Sequence, residues 1–389
     1  MDRLRKVILL LNAAREYERS LIRGIMEYSH VHGPWTFYED PPDFLERPSV
    51  ASRVAHMRAW KADGLISSPD RMREIRGLAL PTITTLKDKE LPAPWRQIVA
   101  EDEAIGRMAA EHLIGLGLTH FAFCGIGGMA WSEGRKDGFT KAVSRTGQEV
   151  LVHELATALP GTTWYSTEKT IGKWIAAAPK PIGVMACNDD MARLLAEICR
   201  SRGVRIPDDV ALVGVDNDEL VCGCATPPLS SVALTIQQAG YEAAALLDAL
   251  IAGGKSKNAR RQMVIRPTHV VVRQSTDMIG VKDENLVKAI RFIRKNASSA
   301  ILVRDVAAAA GLSRRVLQDR FKHAVSRPVS EEVVRSRVQR ISRLLVETNQ
   351  SIAEISLSMG YPVNAHIARF FKRHTGMTPL AYRRAHRKM

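Results

Sequence analysis

A recurring chemistry stands just after the apolar runs in the first 280 residues. Asn12 and Tyr17 follow 7–11, Trp131 and Arg135 follow 119–125, Asn188, Asp189 and Asp190 follow 182–187, and Asp216 follows 210–215. Trp164 adds a second indole from the loop-like Pro160-Gly-Thr-Thr-Trp164. Amides, carboxylates and a guanidinium are two-pronged partners for hydroxyls, and a flat indole suits the C–H face of a sugar ring. The set therefore fits a small polyol. Singly, each residue has a plainer explanation: Asn188 or Asp216 could cap the next helix, and Trp131 and Trp164 could be core. Their convergence on one edge is what favours a ligand.

That convergence requires the apolar runs to be strands of one kind of sheet. Short β-rich runs at 7–11, 64–67, 82–86, 119–125, 182–187 and 210–215 alternate with amphipathic stretches at 16–29, 105–116, 135–146, 167–178, 191–202 and 239–252. This alternation predicts a parallel sheet covered by helices on both faces, with ligands bound beyond the carboxyl ends of its strands. Catalytic signatures are missing. There is no Gly-x-Ser-x-Gly elbow and no phosphate loop, and Gly125-Ile-Gly-Gly128 lacks the full dinucleotide spacing and reads as a turn.

Five cysteines, an odd number in a chain of 389 residues, fit reduced thiols in the cytoplasm, and Cys222-Gly-Cys224 lacks a second pair of metal ligands. No metal or cofactor is expected. The basic start (Arg3, Arg5, Lys6) precedes only five apolar residues, too few for an export signal, and no run of about 18 apolar residues exists to span a membrane. A cytoplasmic chain without membrane contact is expected.

Charge divides the chain. The total is +15, yet residues 281–389 hold 22 Lys and Arg against 8 Asp and Glu, and residues 1–280 hold 34 against 33. The basic segment is helical in period throughout. Val303 to Gly311, then Ser313 before 314–324, has the layout of a helix-turn-helix, and Ile352 to Gly360 followed by 363–374 repeats it. Leu317 and Phe321 of the first copy match Ile367 and Phe371 of the second at an offset of 50. Between the copies, 329–348 places Val334, Val338, Ile341 and Leu345 on one helical face, with Arg335, Arg337, Arg340 and Arg343 mostly elsewhere. A helix of about 20 residues is about 30 Å long, close to the roughly 34 Å between successive major grooves. One chain could set two reading helices in consecutive grooves of double-stranded DNA.

Several segments carry family resemblances. Gly106-Arg-Met-Ala-Ala-Glu-His-Leu113, Leu116-Gly-Leu-Thr-His-Phe-Ala-Phe123, Ala186-Cys-Asn-Asp-Asp-Met-Ala192, Val210-Ala-Leu-Val-Gly-Val-Asp-Asn217, Thr226-Pro-Pro-Leu-Ser-Ser231 and Val270-Val-Val-Arg-Gln-Ser-Thr276 resemble the effector domain of lactose/galactose-repressor proteins. The resemblance implies two α/β lobes closing on a ligand. It places Asn12, Trp131 or a neighbour, Arg135, Trp164, Asn188 and Asp216 at family pocket positions. Two positions depart from it: Leu234 stands where relatives often carry Gln, and Leu86-Lys87 where they carry an Asp-Arg pair.

The basic segment is similar to the DNA-binding domain of the arabinose-regulator (AraC) family through Ile352-Ala-Glu-Ile355, Met359-Gly-Tyr361, Phe370-Phe-Lys372, Thr375-Gly-Met-Thr-Pro379 and Tyr382-Arg383. Family base-reading positions fall on Arg315, Gln318 and Asp319 in the first reading helix and on Asn364, Ala365 and Arg369 in the second. Arg315 can fork to guanine, and Gln318 or Asn364 can pair with adenine. Arg369 could instead bind phosphate, Asp319 could orient an arginine, and Ala365 offers only a methyl contact. Arg314 and His366 flank these positions as phosphate or base candidates, and Ser326 replaces a glycine common in relatives.

The expected architecture is thus an α/β two-lobed periplasmic-binding-protein-like domain over 1–276, a linker at 277–284, and an all-α domain with two helix-turn-helix motifs over 285–389. This order, with the opening Leu10-Leu-Asn-Ala-Ala-Arg-Glu-Tyr17, resembles the bacterial xylose-operon activators. The resemblance implies a homodimeric regulator of promoter DNA, controlled by a small carbohydrate such as D-xylose, with RNA polymerase as a further partner. Alternatives are a repressor, a regulator sensing a sugar phosphate, purine or amino acid, and, from another class, an enzyme fused to a DNA anchor.

Overall fold

The computed structural model describes residues 4–39, 48–85, 96–156, 164–253, 262–278, 283–325, 327–361 and 364–386. Leu86, Lys87 and Ser326 lie outside them. The chain forms two units, crossing between them at 101/102, 234/235 and 266/267.

The first unit comprises 1–101 and 235–266. Its elements are β1 (Arg5–Leu10), α1 (Glu16–His32), β2 (Trp35–Tyr38), α2 (Val50–Trp60), β3 (Gly64–Ser67), α3 (Met72–Ile75), β4 (Thr82–Thr84) and β5 (Arg96–Ala100). The second unit then runs through α4 (Asp102–Ile114), β6 (Phe121–Gly127), α5 (Ala130–Ser144), β7 (Val150–Ala156), α6 (Trp164–Ala177), β8 (Ile182–Ala186), α7 (Asp189–Ser201), β9 (Val210–Val215), α8 (Glu219–Cys224) and β10 (Ser230–Leu234). The chain returns to the first unit for α9 (Ile236–Ile251) and β11 (Gln262–Ile265), and to the second for β12 (Pro267–Val271).

Each unit is built on one six-stranded sheet. The first has the order β11-β5-β4-β3-β1-β2 and is parallel throughout. The second has the order β12-β10-β9-β8-β6-β7 and is parallel except for β12. Continuous apolar runs explain the central strands: Val7, Ile8, Leu9 and Leu10 of β1 and all six residues of β9 are buried. Such runs form where helices cover both faces.

In the second unit, α4 and α5 approach closely enough to require glycine. A Cβ on Gly138 would overlap the backbone carbonyl of Glu103, and one on Gly106 would overlap that of Arg135. This contact fixes the start of α4 against the second turn of α5.

Seven more helices complete the second unit: α10 (Glu284–Lys295), α11 (Val303–Ala310), α12 (Arg314–Val325), α13 (Val329–Glu347), α14 (Ile352–Ser358), α15 (Asn364–Thr375) and α16 (Pro379–His386). Two cores hold them. Leu286, Ile290, Val306, Leu317, Phe321 and Val333 form one, and Ile341, Leu345, Ile355, Met359, Ile367 and Phe371 form the other. Helix α13 contributes to both. Its first half turns Val333 into the core, whereas Val334, expected there, is only half-buried.

Gly138→Ala tests the α4–α5 contact. In an unobstructed helix interior this change stabilises by up to about 1 kcal/mol; against the Glu103 carbonyl it is expected to destabilise by about 1–3 kcal/mol. The shift of the urea unfolding midpoint of the full chain measures it, and an unchanged or raised midpoint would refute the contact.

Candidate functional site

The carboxyl edge of the second unit's sheet gathers a charged cluster around Arg135. Helix α5 starts at Ala130, one turn earlier than the apolar pattern indicates, so Trp131 and Arg135 stand four residues apart on one face. The guanidinium carbon lies 5.1 Å from the centre of the Trp131 ring. Arg135 Nε donates to Asp102 Oδ1 at 3.3 Å, Nη1 donates to the Cys187 carbonyl at 2.6 Å, and Nη2 lies 3.6 Å from Asp216 Oδ1. The arginine is 4% exposed. Burial alone would lower its pKa, but the charges of Asp216 and Asp102 outweigh it and raise the value, so it stays cationic.

Asp216 owes its position to an unusual backbone. It and Asn217 have φ of 100° and 52°, a region costly for residues with a Cβ. The surroundings enforce it: Asp216 N donates to the Val232 carbonyl at 3.1 Å, Asn217 N to Ser231 Oγ at 2.9 Å, and Arg273 Nη2 to Asn217 Oδ1 at 2.8 Å. Strain held this way sets the carboxylate beside Arg135.

The remaining candidates divide. Asn188 caps α7, its Oδ1 accepting from Met191 N at 2.9 Å, so the capping explanation holds for that oxygen. Asp189 lies inside the unit, 2% exposed, with Oδ2 accepting from Asp218 N at 2.7 Å and Oδ1 accepting from Ser231 Oγ at 2.7 Å. Both oxygens brace the 216–218 segment. Asn12 and Tyr17 belong to the first unit. Asn12 accepts from Ala14 N at 3.0 Å in the exposed loop after β1, and Tyr17 is half-buried in the first turn of α1. Trp164 opens α6, and its side chain lies outside the described residues. Leu234, at the end of β10, is buried.

Asp102, Ser231 and Arg273 belong to this cluster although strand-end reasoning passed over them. Asp102 carried one readable signal, an acid at the start of a helix, where the helix dipole favours it. Ser231 and Arg273 lay within segments notable only as family motifs. Burial pushes the thiols of Cys124, Cys187, Cys199 and Cys222 up, so they stay protonated. Among the described residues no group of three His, Cys, Asp or Glu could hold a metal ion, and no helix is long and apolar enough to cross a membrane.

The helical part presents two reading helices. Gly311 (φ 65°) and Gly360 (φ 72°) end α11 and the α14 segment in the left-handed conformation that the turns need. Ser313 Oγ accepts from Val316 N at the start of α12, and Ser351 caps α14 with Glu354 returning a bond to the Ser351 amide. Leu317 and Phe321 of α12 and Ile367 and Phe371 of α15 are fully buried. The opposite faces are open: Arg314, Arg315, Gln318 and Asp319 are exposed on α12, and Asn364, Ala365, His366 and Arg369 on α15.

One arginine departs from the expected division of charge. Arg337 is 6% exposed, donates to the Ser299 carbonyl and, at 2.8 Å, to the Met359 carbonyl, and lies 4.8 Å over the Tyr361 ring. It ties the loop before the first helix-turn-helix to the turn of the second and is not a surface contact for phosphate.

An α/β sensor of the periplasmic-binding-protein type followed by a duplicated helix-turn-helix defines a DNA-binding transcription regulator. Residues 110–276 match the family model of the periplasmic binding protein-like domain, and 306–385 match a helix-turn-helix domain. Over nearly its whole length the chain is similar to the xylose operon regulatory proteins. It is 28% identical to that of Escherichia coli (strain K12), covering 97% of this chain and 96% of that protein. It is also 28% identical to that of Haemophilus influenzae, covering 97% and 98%. A solved structure of the xylose-binding transcription activator XylR superposes with a TM-score of 0.61 at 27% identity over 100% of both chains. A CelR–cellobiose complex shares the sensor fold, with a TM-score of 0.56 at 21% identity over 71% of this chain and 86% of that one.

Two predictions follow from these geometries. Burial, then the Asp216 charge, pushes the Asp189 carboxyl up to about 8, whereas in an unfolded chain it titrates near ~4. Its proton therefore stabilises the fold fully below the unfolded pKa, and that stabilisation is lost as pH rises through the folded value. Asp189→Asn mimics the protonated form and should flatten this decline in urea titrations at several pH values; an identical pH profile would exclude the assignment. In the reader, Arg315→Ala should lose base preference at one position while nonspecific affinity falls little, measured on randomised duplexes. An unchanged preference removes Arg315 from the base-reading set.

Proposed function

We propose that the chain is a sugar-gated transcription activator with D-xylose or a related pentose as its effector. The observation that carries this reading is the buried Arg135 cluster, in which a cation, the Asp216 carboxylate and the Trp131 face stand together at a sheet's carboxyl edge. Vicinal hydroxyls complement that arrangement, since each accepts from a guanidinium and donates to a carboxylate while the ring's C–H face covers the indole. Asn12, Tyr17, Trp164 and Asn188 are the proposed further contacts, and Asp189 braces the Asp216 segment. The names of the relatives support xylose as the effector and activation as the outcome.

In this reading a homodimer presents four reading helices to promoter DNA in the cytoplasm, and RNA polymerase is the partner recruited. Arg314, Arg315, Gln318, Asp319, Asn364, Ala365, His366 and Arg369 make the DNA contacts. No catalytic step is involved. Sugar controls transcription only by binding the DNA-competent arrangement more tightly than the other.

The test is the affinity of the full chain for its selected operator duplex with and without pentoses and hexoses. A gain of about 5-fold or more with D-xylose, within the usual range of such couplings, is expected. No change with any sugar would sink the reading.

A further inference from the structure

Helix α4 joins the Arg135 cluster to the DNA-reading half of the same unit. It begins with Asp102, directly after a crossing between the units, and Asp102 is the carboxylate that holds Arg135 Nε. Its start is locked onto α5 by the glycine contacts at 106 and 138. Thirteen residues later, about 20 Å along the axis, its last turn meets the reader. There Arg335 of α13 donates to the Glu111 carbonyl, which also accepts from Gly115 N at 3.1 Å and so takes the guanidinium on its second lone pair. Gly115 admits the guanidinium, for a Cβ at that position would overlap Arg335 Nη1 and Cζ. Each end of α4 thus carries the charge its dipole favours, an anion at the start and a cation at the end.

His112 in the same turn does not compete for that role. Burial, then the charges of Arg335 and Arg294, lowers it to about 3, and its Nε2 pairs with Thr276 Oγ1 at 2.9 Å. A second tie runs parallel: Tyr382 of α16 donates to the Thr268 carbonyl on β12, the strand that also follows directly on a crossing. Beside Arg335 opens a cleft of about 420 Å³ that also borders Arg294, Gln339 and Arg340. The guanidinium therefore has room to move.

We infer that Arg335, seated in the Gly115 notch at the end of α4, is the positioning residue that transmits the state of the Arg135 cluster to helix α13 and hence to both reading helices. Arg335 touches neither the sugar candidates nor the reading faces. It acts through α4, whose opposite end moves with Asp102 when a ligand draws on Arg135. The inference rests on the sugar-gated reading above.

The test uses the full chain, D-xylose and the selected operator duplex, with xylose affinity from calorimetry and DNA affinity with and without xylose from anisotropy. Three variants separate the causes. Gly115→Ala displaces the guanidinium, Arg335→Gln removes its charge, and Arg335→Lys keeps a cation that can still reach a carbonyl. Expected are xylose affinity and sugar-free DNA affinity within about 3-fold of the parent, with the xylose-induced gain in DNA affinity reduced to below about 2-fold in Gly115→Ala and Arg335→Gln and partly kept in Arg335→Lys, against parental couplings of about 5-fold or more. A purely structural role would instead lower the unfolding midpoint and both affinities while leaving their ratio intact, and that result overturns the inference. Full coupling in Gly115→Ala and Arg335→Gln overturns it too while leaving the sugar reading standing. A parent that shows no coupling overturns both.

Discussion

A buried guanidinium is tolerable only when its charge is answered on several sides, and Arg135 is answered on four. Asp102 and Asp216 supply the countercharges, the Cys187 carbonyl accepts a hydrogen bond, and Trp131 lends its ring face. Removing one partner of such a pair costs about 3–5 kcal/mol, because the survivor is left charged and dry. The neighbouring structure is arranged to keep those partners in place. The left-handed backbone at Asp216 and Asn217 is held by Val232, Ser231 and Arg273, and Asp189 braces the next amide from below. The glycine-lined contact of α4 and α5 keeps Asp102 within reach. In the proposed reading, a ligand hydroxyl at this point would exchange protein partners for its own, and a small neutral molecule could act on the lobe in that way.

The basic half distributes its charge by task. Arg337 joins the loop before the first helix-turn-helix to the turn of the second from inside, and Arg335 packs at the end of α4. Arg327 pairs with the buried Glu332 at 2.8 Å. These arginines hold the reader together and in place. Arg314, Arg315, Arg320, Lys322, Arg369, Lys372 and Arg373 of α12 and α15 are instead exposed, which is the set of cations the proposed reading has available for DNA. Net charge alone therefore overstates the number of phosphate contacts, and with it the expected salt dependence.

Much of this was legible in the residues. The strands at Gly64–Ser67 and Val210–Val215 and the helix at Val303–Ala310 stand where apolar runs and periodicity put them, because burial on both faces or on one helical stripe leaves a direct pattern. The duplicated motif was equally plain, its glycines and buried Leu317, Phe321, Ile367 and Phe371 spaced alike. Less legible was β7, a strand at the edge of its sheet whose Leu151 and Val152 are 42% and 44% exposed; its apolar run, 150–152, stops at His153 and Glu154, too short to mark a buried strand. Helix starts also escaped the pattern. Ala130–Gly134 and Asp102–Ala104 carry few large apolar residues, yet they contain Trp131 and Asp102, the two neighbours that define Arg135's surroundings. The roles of Asp189 and Arg337 were hidden for a related reason. A polar side chain reads as a surface or ligand group until its depth is known, and depth is a tertiary property.

Amide hydrogen exchange of the full chain with and without D-xylose bears most directly on the link between the Arg135 cluster and control by sugar. Added protection is expected at 130–136, 186–190 and 214–218, the backbone around the guanidinium and its two flanking strand ends, together with altered exchange in α13 near Arg335. Saturating xylose that leaves all of these segments unchanged, or protects only segments remote from Arg135, would contradict it.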